Sequence, residues 1–313
     1  MLDKPVIKNA ALLSAALDGL QQTPKTLPSK WFYDTEGSRL FEKITQLPEY
    51  YPSRTETQIL RAQADKLAKS IPDGGALVEL GSGASVKTRL LLDAAPHVKR
   101  YVPVDVAEGF LRDASSRLAR EYSGLSVQPI VADFTSFVEL PSDLSDVPKT
   151  VFFPGSTIGN LAQEQAVALL SSVHAWDGIH RFILGADLVK SPDILVPAYD
   201  DTAGVTAAFN LNLLRRLNRE IGASFDLATF RHEARWNAAE SRIEIHLRSE
   251  VDQSICIADA KIYFKAGETI HTENSRKYTK AGLHELAKAS GWTIEAFYTD
   301  EQAWFAVIVF SPV

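Results

Sequence analysis

Apolar runs and amphipathic stretches alternate along the middle of the chain. The apolar runs are short enough to be strands, and the stretches between them have helical spacing. Strands that alternate with helices form a parallel sheet that is covered on both faces, so the pattern predicts an α/β domain. The predicted strands are 76–80, 101–105, 126–132, 149–153 and 180–185, and the predicted helices are 85–95, 107–120 and 162–175.

This rhythm changes after Lys190. Ser191 and Pro192 are typical of a capped helix start, and a long helix is predicted over 203–219. The segment 242–247 then alternates apolar and polar residues, and 260–264 resembles a partner strand. Residues 191–275 are therefore expected to form an α+β insertion.

Capping signals bound two further helices. Ser53-Arg54-Thr55-Glu56 fits a capping box, which predicts a helix from Ser53 to about Lys69. Thr279 should cap a helix that ends near Ser290. The chain then has two apolar stretches, 292–297 and 303–310, that predict a hairpin with one strand antiparallel to its sheet neighbour.

Charge and cysteine content narrow the function class. The net charge is −6 without a dense Lys/Arg stripe, so neither a nucleic-acid partner nor a membrane partner is expected. Cys256 is the single cysteine, which excludes an intrachain disulfide and a cysteine zinc site and suits the cytoplasm. No apolar stretch reaches the length of a membrane span.

Three features at the strand ends indicate a nucleoside-bearing cofactor. The first strand ends in the turn Glu79-Leu80-Gly81-Ser82-Gly83, with Lys87 one turn into the next helix. Asp105 ends the second strand, where a carboxylate can accept both ribose hydroxyls. Asp133 and Phe134 end the third strand and could bind an adenine amino group and cover the base. The order favours S-adenosylmethionine.

A nicotinamide dinucleotide is the alternative ligand, and a turn that binds no nucleotide remains open for the glycine pair alone. The dinucleotide fingerprint has a third glycine where this chain has Val86. A pyrophosphate also disfavours the carboxylate of Glu79 at the strand end. The predicted terminal hairpin fits a seven-stranded methyltransferase sheet better than a dehydrogenase sheet.

Further motifs resemble the histidine N-alpha-methyltransferase family of the ergothioneine pathway, from about residue 24 to the C-terminus. The matching segments lie at 27–34, 37–38, 40–41, 47–56, 79–83, 154–160, 198–201, 204–210 and 272–275. The resemblance implies a Rossmann-like, seven-stranded class I methyltransferase sheet with a second α+β substrate-binding domain. It assigns 55–190 and 278–313 to the methyltransferase domain, and 1–54 and 191–277 to the substrate domain.

The resemblance also implies roles for individual residues. Taken singly, the tyrosines would fit core aromatics, Asn160 a helix cap and Glu273 a solvated loop residue. In the family pattern, the substrate carboxylate would be held by Tyr50, Asn160 and Tyr199, the imidazole by Glu273 and Ser275 with Thr206 nearby, and Tyr33 would lie near the amino group. The cofactor contacts would be Gly81, Lys87, Asp105, Asp133 and Phe134.

The implied reaction is trimethylation of the α-amino group of L-histidine to hercynine, the first step of ergothioneine biosynthesis. S-adenosylhomocysteine would be the second product, no metal is expected, and the enzyme is expected to be a monomer. The family commonly has methionine where this chain has Ile245, so the same chemistry on another free amino acid stays open. A non-catalytic S-adenosylmethionine-binding regulator is the alternative from a different class.

Overall fold

The computed structural model describes residues 7–136 and 138–313; the other residues of the predicted domains, 1–6 and Phe137, lie outside the described part. The helices are α1 Ala10–Leu20, α2 Thr35–Ile44, α3 Tyr51–Ala68, α4 Val86–Ala94, α5 Glu108–Glu121, α6 Gln163–His174, α7 Pro192–Leu195, α8 Val205–Ile221 and α9 Lys280–Ala289. The strands are β1 Lys25–Thr26, β2 Ala76–Leu80, β3 Arg100–Asp105, β4 Ser126–Val127, β5 Ile130–Val131, β6 Lys149–Phe153, β7 Ile179–Asp187, β8 Phe230–Asn237, β9 Arg242–Ser249, β10 Gln253–Ile257, β11 Ala260–Phe264, β12 Thr269–Arg276, β13 Trp292–Thr299 and β14 Phe305–Pro312.

The described chain folds into two compact units. The α/β unit comprises Tyr51–Lys190 and Ser275–Val313, and the α+β unit comprises the residues up to Tyr50 and Ser191–Asn274. The structure therefore divides the chain after residues 50, 190 and 274, where the sequence had placed boundaries after 54, 190 and 277. The first difference arises because α3 begins at Tyr51 and stays whole within the α/β unit.

The α/β unit is built on one sheet with the strand order β13-β14-β7-β6-β2-β3-β4. Because β4 and β5 both pair with β3, the eight described strands fill seven positions. The central pairs are parallel, whereas β14 is antiparallel to both β7 and β13. The predicted α/β fold and its terminal hairpin are thus confirmed. The sequence order reverses at β2, which is where ligands bind in open parallel sheets.

Side chains of this sheet alternate between two apolar clusters, one on each face. Val78 and Leu80 of β2 belong to one cluster, and Leu77 to the other; Val151 and Phe152 of β6 divide in the same way. All five side chains are almost fully buried. Burial of each contributes about 1.5–3 kcal/mol, so the continuous apolar runs of the sequence follow from a sheet that is covered on both faces.

The predicted strand 126–132 is wrong in one respect. The structure has two short strands, β4 and β5, separated by Gln128 and Pro129. Pro129 has no backbone N–H and therefore cannot continue a ladder. As a result, Asp133 follows the second short strand after one intervening residue.

The α+β unit places α8 against α1, α2 and β8. The buried side chains Phe209, Leu213, Leu217 and Ile221 recur every four residues along α8, so one stripe of the helix faces the unit's interior. Its sheet has the order β1-β12-β9-β8, with β8 and β9 antiparallel. The strands β10 and β11 form a separate antiparallel pair.

Candidate active site

The glycine turn after β2 is tied to β3. The N–H groups of Gly81 and Ser82 donate to the Val104 carbonyl oxygen at 2.8 and 3.3 Å. The Asp105 carboxylate accepts from the N–H of Gly83 and from the N–H of Ala107, both at 3.0 Å. The structure therefore brings the predicted glycine turn and Asp105 together at the carboxyl edge of the sheet.

Phe134 lies beside the same turn. A Cβ atom on Gly81 would be 3.5 Å from Phe134 Cε1, and the φ of +66° at Gly81 favours glycine in any case. The ring of Phe134 packs edge-on against Phe153, with centroids 5.2 Å apart. Asp133 accepts from the N–H of Thr135 at 3.0 Å and from its hydroxyl at 2.5 Å. The predicted Asp133-Phe134 pair is therefore at this edge.

Lys87 is held by a carboxylate that sequence reasoning misassigned. Its ammonium pairs with Glu56, whose side chain is fully buried and whose oxygens accept from the N–H of Gly155 at 2.9 and 3.0 Å. The predicted capping box at Ser53 is wrong, because α3 begins at Tyr51 and Glu56 reaches Lys87 and Gly155 instead. No local signal in the sequence identifies Glu56, since its partners are 31 and 99 residues away.

Glu79 supports the turn from inside. Its carboxylate is buried and accepts from the hydroxyls of Thr88 and Tyr101, and Tyr101 in turn lies 3.0 Å from Ser85 Oγ. Burial raises the pKa of Glu79 to about 7, although the hydrogen bonds from Thr88 and Tyr101 oppose the rise. Glu79 therefore disfavours a pyrophosphate less strongly than a fully ionised carboxylate would. The absent third glycine and the hairpin still favour S-adenosylmethionine.

The turn fits a nucleoside cofactor in two further respects. The hydroxyl of Ser82 is buried and has no hydrogen-bond partner among the described residues. A Cβ on Gly83 would meet nothing within 4 Å, which leaves space for a ligand next to the backbone and Asp105. Backbone amides at the start of α4 and a carboxylate within reach are the donor and acceptor set that a nucleoside requires.

The segments that carry Asn160 and Ser275 lie against each other within the α/β unit. Asn160 ends the short 3-10 helix Thr157–Asn160 and does not cap α6, whose N-cap position is Ala162. A Cβ on Gly159 would be 2.7 Å from the carbonyl oxygen of Arg276, so this turn lies directly against the backbone next to Ser275. The Ser275 hydroxyl oxygen accepts a hydrogen bond from Lys277 Nζ at 2.8 Å.

In the α+β unit, three of the predicted substrate residues belong to one line of aromatic rings. Tyr33 contacts Phe41 with centroids 5.8 Å apart, Phe41 contacts Tyr50 at 6.4 Å, and Tyr50 contacts Tyr199 at 5.9 Å. All three pairs are edge-on, with interplanar angles of 74–78°. Positions 33, 50 and 199 are thus brought together although 166 residues of sequence separate the outer two.

Asp34 fixes the backbone beside Tyr33. Its carboxylate caps α2 by accepting from the Gly37 N–H at 2.7 Å, and it also accepts from Asn212 and Arg219 of α8. Burial alone would raise the pKa of Asp34, but these hydrogen bonds hold it below its usual value. Asp34 therefore stays charged and anchors the start of α2 to α8.

Thr206 lies in the first turn of α8, where Asp201 accepts from the N–H groups of Val205 and Thr206 at 2.9 and 2.7 Å. Burial would raise the pKa of Asp201, but its hydrogen bonds from Thr206 and Val205 lower it overall. A carboxylate at a helix N-terminus is also favoured by the helix dipole. Asp201 thereby ties the Tyr199 loop to the helix that carries Thr206.

Asn210, one turn further along α8, is a hub that sequence reasoning did not single out. Its side-chain oxygen accepts from Thr272 Oγ1 at 2.9 Å, and its NH₂ group donates to the His246 carbonyl at 3.0 Å and to His232 Nδ1 at 2.9 Å. His232 Nδ1 is then the acceptor, so Nε2 carries the proton and donates to the Tyr199 carbonyl at 2.8 Å.

This network connects the backbones around two predicted substrate residues. Burial lowers the pKa of His232, which matches its neutral role as both donor and acceptor. The hydroxyl oxygen of Thr272 also lies 3.1 Å from the Ile245 carbonyl oxygen, and the carbonyl oxygen of Glu273 lies 3.1 Å from His271 Nε2. Ile245 lies on β9, next to β12 in the sheet of the α+β unit, and its side chain is buried.

Two kinds of feature are absent from residues 7–136 and 138–313. No group of three or more His, Cys, Asp or Glu side chains there could hold a metal ion. No helix within these ranges is long and apolar enough to cross a bilayer.

The sequence model of the histidine-specific, SAM-dependent methyltransferases matches residues 12–312, which is nearly the whole chain. The chain belongs to this family. Its structure has the glycine turn, the acidic residue at the end of the second sheet strand and the terminal hairpin that were expected. The α/β sheet is that of a class I S-adenosylmethionine-dependent methyltransferase.

Named relatives support the same membership. The chain is similar to the histidine N-alpha-methyltransferase of Mycobacterium tuberculosis, with 43% identity over 95% of this chain and 94% of the relative. It is 46% identical to the same-named protein of Mycolicibacterium smegmatis over 87% of this chain and 86% of the relative. Ergothioneine biosynthesis protein 1 of Neurospora crassa is 27% identical over 86% of this chain and 32% of its own length.

Proposed function

We propose that this enzyme transfers three methyl groups from S-adenosylmethionine to the α-amino nitrogen of L-histidine and so forms hercynine. The observation that carries the proposal is the family match over 12–312 together with two relatives named for this activity at 43% and 46% identity. The similarity to an ergothioneine biosynthesis protein supports a place at the start of that pathway.

Gly81, Lys87, Asp105, Asp133 and Phe134 are proposed to bind the cofactor. Bound S-adenosylmethionine supplies a methyl group on a sulfonium, which is the electrophile. Asp105 would accept from ribose hydroxyls, and Phe134 would cover the adenine face. Glu56 supports this role indirectly, because it orients Lys87 and the Gly155 N–H.

A second set of residues is proposed to bind the amino acid. Tyr50, Asn160 and Tyr199 would hold the carboxylate, and Glu273, Ser275 and Thr206 would bind the imidazole. The aromatic line of Tyr33, Phe41, Tyr50 and Tyr199 supports the first assignment, because it fixes three tyrosines in one unit. Asn210 supports the imidazole assignment, since its side chain binds Thr272, the residue before Glu273.

Methyl transfer needs a neutral amine about 3–3.5 Å from the methyl group and in line with the breaking C–S bond. The adjacent sulfonium charge disfavours the ammonium form, so we expect no strong general base. Tyr33 would orient the nitrogen through its hydroxyl. Unchanged rate and product distribution in Tyr33→Phe would contradict this role.

The same chemistry on another free amino acid is the second candidate, and Ile245 is the observation that favours it. A branched residue there keeps an apolar wall but changes its shape relative to methionine. Incubation with methyl-labelled S-adenosylmethionine and a panel of free amino acids separates the candidates. Label transfer to histidine alone supports the proposal; preferred transfer to another amino acid supports the second candidate, and transfer to none supports a regulator.

A further inference from the structure

Two lysines share one buried carboxylate in the α/β unit. Lys277 Nζ lies 2.7 Å from Asp187 Oδ2, and Lys190 Nζ lies 2.6 Å from Asp187 Oδ1. The side chains of Lys277 and Asp187 are completely buried, and that of Lys190 is 5% exposed. The Tyr51 hydroxyl also donates to Asp187 at 2.7 Å. Asp187 therefore holds both ammonium groups in place.

Lys277 also fixes the role of a second side chain. Its ammonium lies 2.8 Å from Ser275 Oγ. An ammonium has donors only, so the serine oxygen is the acceptor in this contact. The single O–H of Ser275 must then donate in another direction. The positive charge on Lys277 makes this hydroxyl a stronger donor.

The positions of these residues in the chain make the contact possible. Ser275 is the second-last residue of β12 and Lys277 is the first residue after the strand. Side chains two residues apart along a strand point to the same side, which lets these two meet. Asp187 ends β7, and its N–H donates to Ser156 Oγ at 2.9 Å. β12 and β7 belong to different sheets, but Lys277 and Asp187 both lie in the α/β unit, where the N–H of Tyr278 also donates to the Asp187 carbonyl at 2.8 Å.

We propose that Lys277 is a positioning residue for histidine recognition: it directs the Ser275 hydroxyl as a donor toward the bare nitrogen of a neutral imidazole. This inference rests on the proposed role of Ser275 as an imidazole ligand. A neutral imidazole has one acceptor nitrogen, whereas an imidazolium or an apolar ring has none. The fixed hydroxyl thus favours neutral histidine over both.

The chain offers a matched control in Lys190. It pairs with the same carboxylate, but its ammonium donates to Asp187, to the Tyr51 hydroxyl and to the Leu188 carbonyl. Lys277→Met and Lys190→Met each remove one ammonium from Asp187 and leave the other. Generic disruption of the buried cluster should affect the two variants alike, whereas loss of Ser275 orientation should appear in the first alone.

The experiment measures KM and kcat for L-histidine and the affinity for S-adenosylhomocysteine in these variants, in Ser275→Ala and in the Lys277→Met/Ser275→Ala double variant. We expect Lys277→Met to raise KM about tenfold, with kcat within about threefold and cofactor affinity unchanged. Lys190→Met should leave KM near the wild-type value. The double variant should be no worse than the worse single variant, because one residue acts through the other.

Lys277→Gln retains an N–H donor for Ser275, so its KM should return most of the way to the wild-type value. If a methionine variant does not fold, the comparison uses Lys277→Gln and Lys190→Gln, with a smaller rise in KM expected only in the first. Additive losses in the double variant, or equal rises for the two lysines, would overturn the inference alone. Absence of histidine turnover by the wild type would refute the proposed function and this inference with it.

Discussion

Gly185 of β7 lies directly against the carboxylate of Glu56, and a Cβ on Gly185 would come within 2.0 Å of Glu56 Oε1. Glu56 has no space to retreat, because it is fully buried and bonded to Lys87 and the Gly155 N–H. Glycine at position 185 is therefore required by a side chain 129 residues earlier in the chain.

Gly185→Ala should displace Glu56 and with it Lys87. We expect a loss of at least tenfold in affinity for S-adenosylhomocysteine by calorimetry, together with a lower Tm. Gly109→Ala is the control, because a Cβ there meets nothing within 4 Å in α5 and should leave the Tm unchanged or raise it slightly. Wild-type cofactor affinity in Gly185→Ala would contradict the role assigned to Glu56.

Glu79 should make the free energy of unfolding depend on pH. Its pKa is raised to about 7 in the folded protein, so folding favours the protonated acid. The associated stabilisation is fully present below the unfolded pKa of about 4.5 and is lost as the pH rises through 7. Glu79→Gln cannot titrate and keeps an oxygen that can accept a hydrogen bond.

Relative to the wild type, Glu79→Gln should therefore gain stability between pH 4.5 and pH 8, by on the order of 2–3 kcal/mol. Urea unfolding at both pH values measures this difference. Glu164→Gln, at an exposed position of α6, is the control. An equal stability difference at the two pH values would show that Glu79 does not titrate in this range.

His232 should influence the binding of histidine but not that of the cofactor. His232→Leu removes the donor to the Tyr199 carbonyl and leaves the Asn210 amide short of an acceptor. We expect a loss of about 1–3 kcal/mol in stability and a rise in KM for histidine, with unchanged affinity for S-adenosylhomocysteine. His284→Leu, at an exposed position of α9, should change neither quantity.

Glu273→Ala should weaken histidine binding far more than cofactor binding. The carboxylate is proposed to accept an imidazole N–H, and a buried group left without its partner costs about 1–3 kcal/mol or more. Calorimetry with each ligand in turn measures the two losses separately. Equal losses for histidine and S-adenosylhomocysteine would remove Glu273 from the proposed imidazole set.

The sequence predicted those features of the fold that neighbouring residues determine. The buried strands and the caps at Ser191 and Thr279 could be derived from sequence, because apolar runs and side-chain oxygens act on their immediate neighbours. The family resemblance supplied the substrate residues, which no periodicity identifies. Sequence reasoning missed Glu56, His232 and Lys277. Their roles depend on partners that are distant in the chain or on neighbours that only the fold defines.

The errors have the same origin. Ser53 and Glu56 have the spacing of a capping box, yet α3 begins at Tyr51, and Glu56 pairs with Lys87 in the interior. The segment 126–132 is apolar enough for one strand, but Pro129 interrupts it. At Glu56, pairing in the interior took the place of the predicted cap. At Pro129, the missing N–H interrupted the predicted strand.

Product analysis tests the central claim most directly. The purified enzyme is incubated with L-histidine and excess S-adenosylmethionine, and the product is examined by mass spectrometry and NMR. The account predicts a gain of three methyl groups, all on the α-amino nitrogen, with the imidazole unmodified and one S-adenosylhomocysteine formed per methyl. Methylation of a ring nitrogen, or no methylated histidine at all, would contradict it.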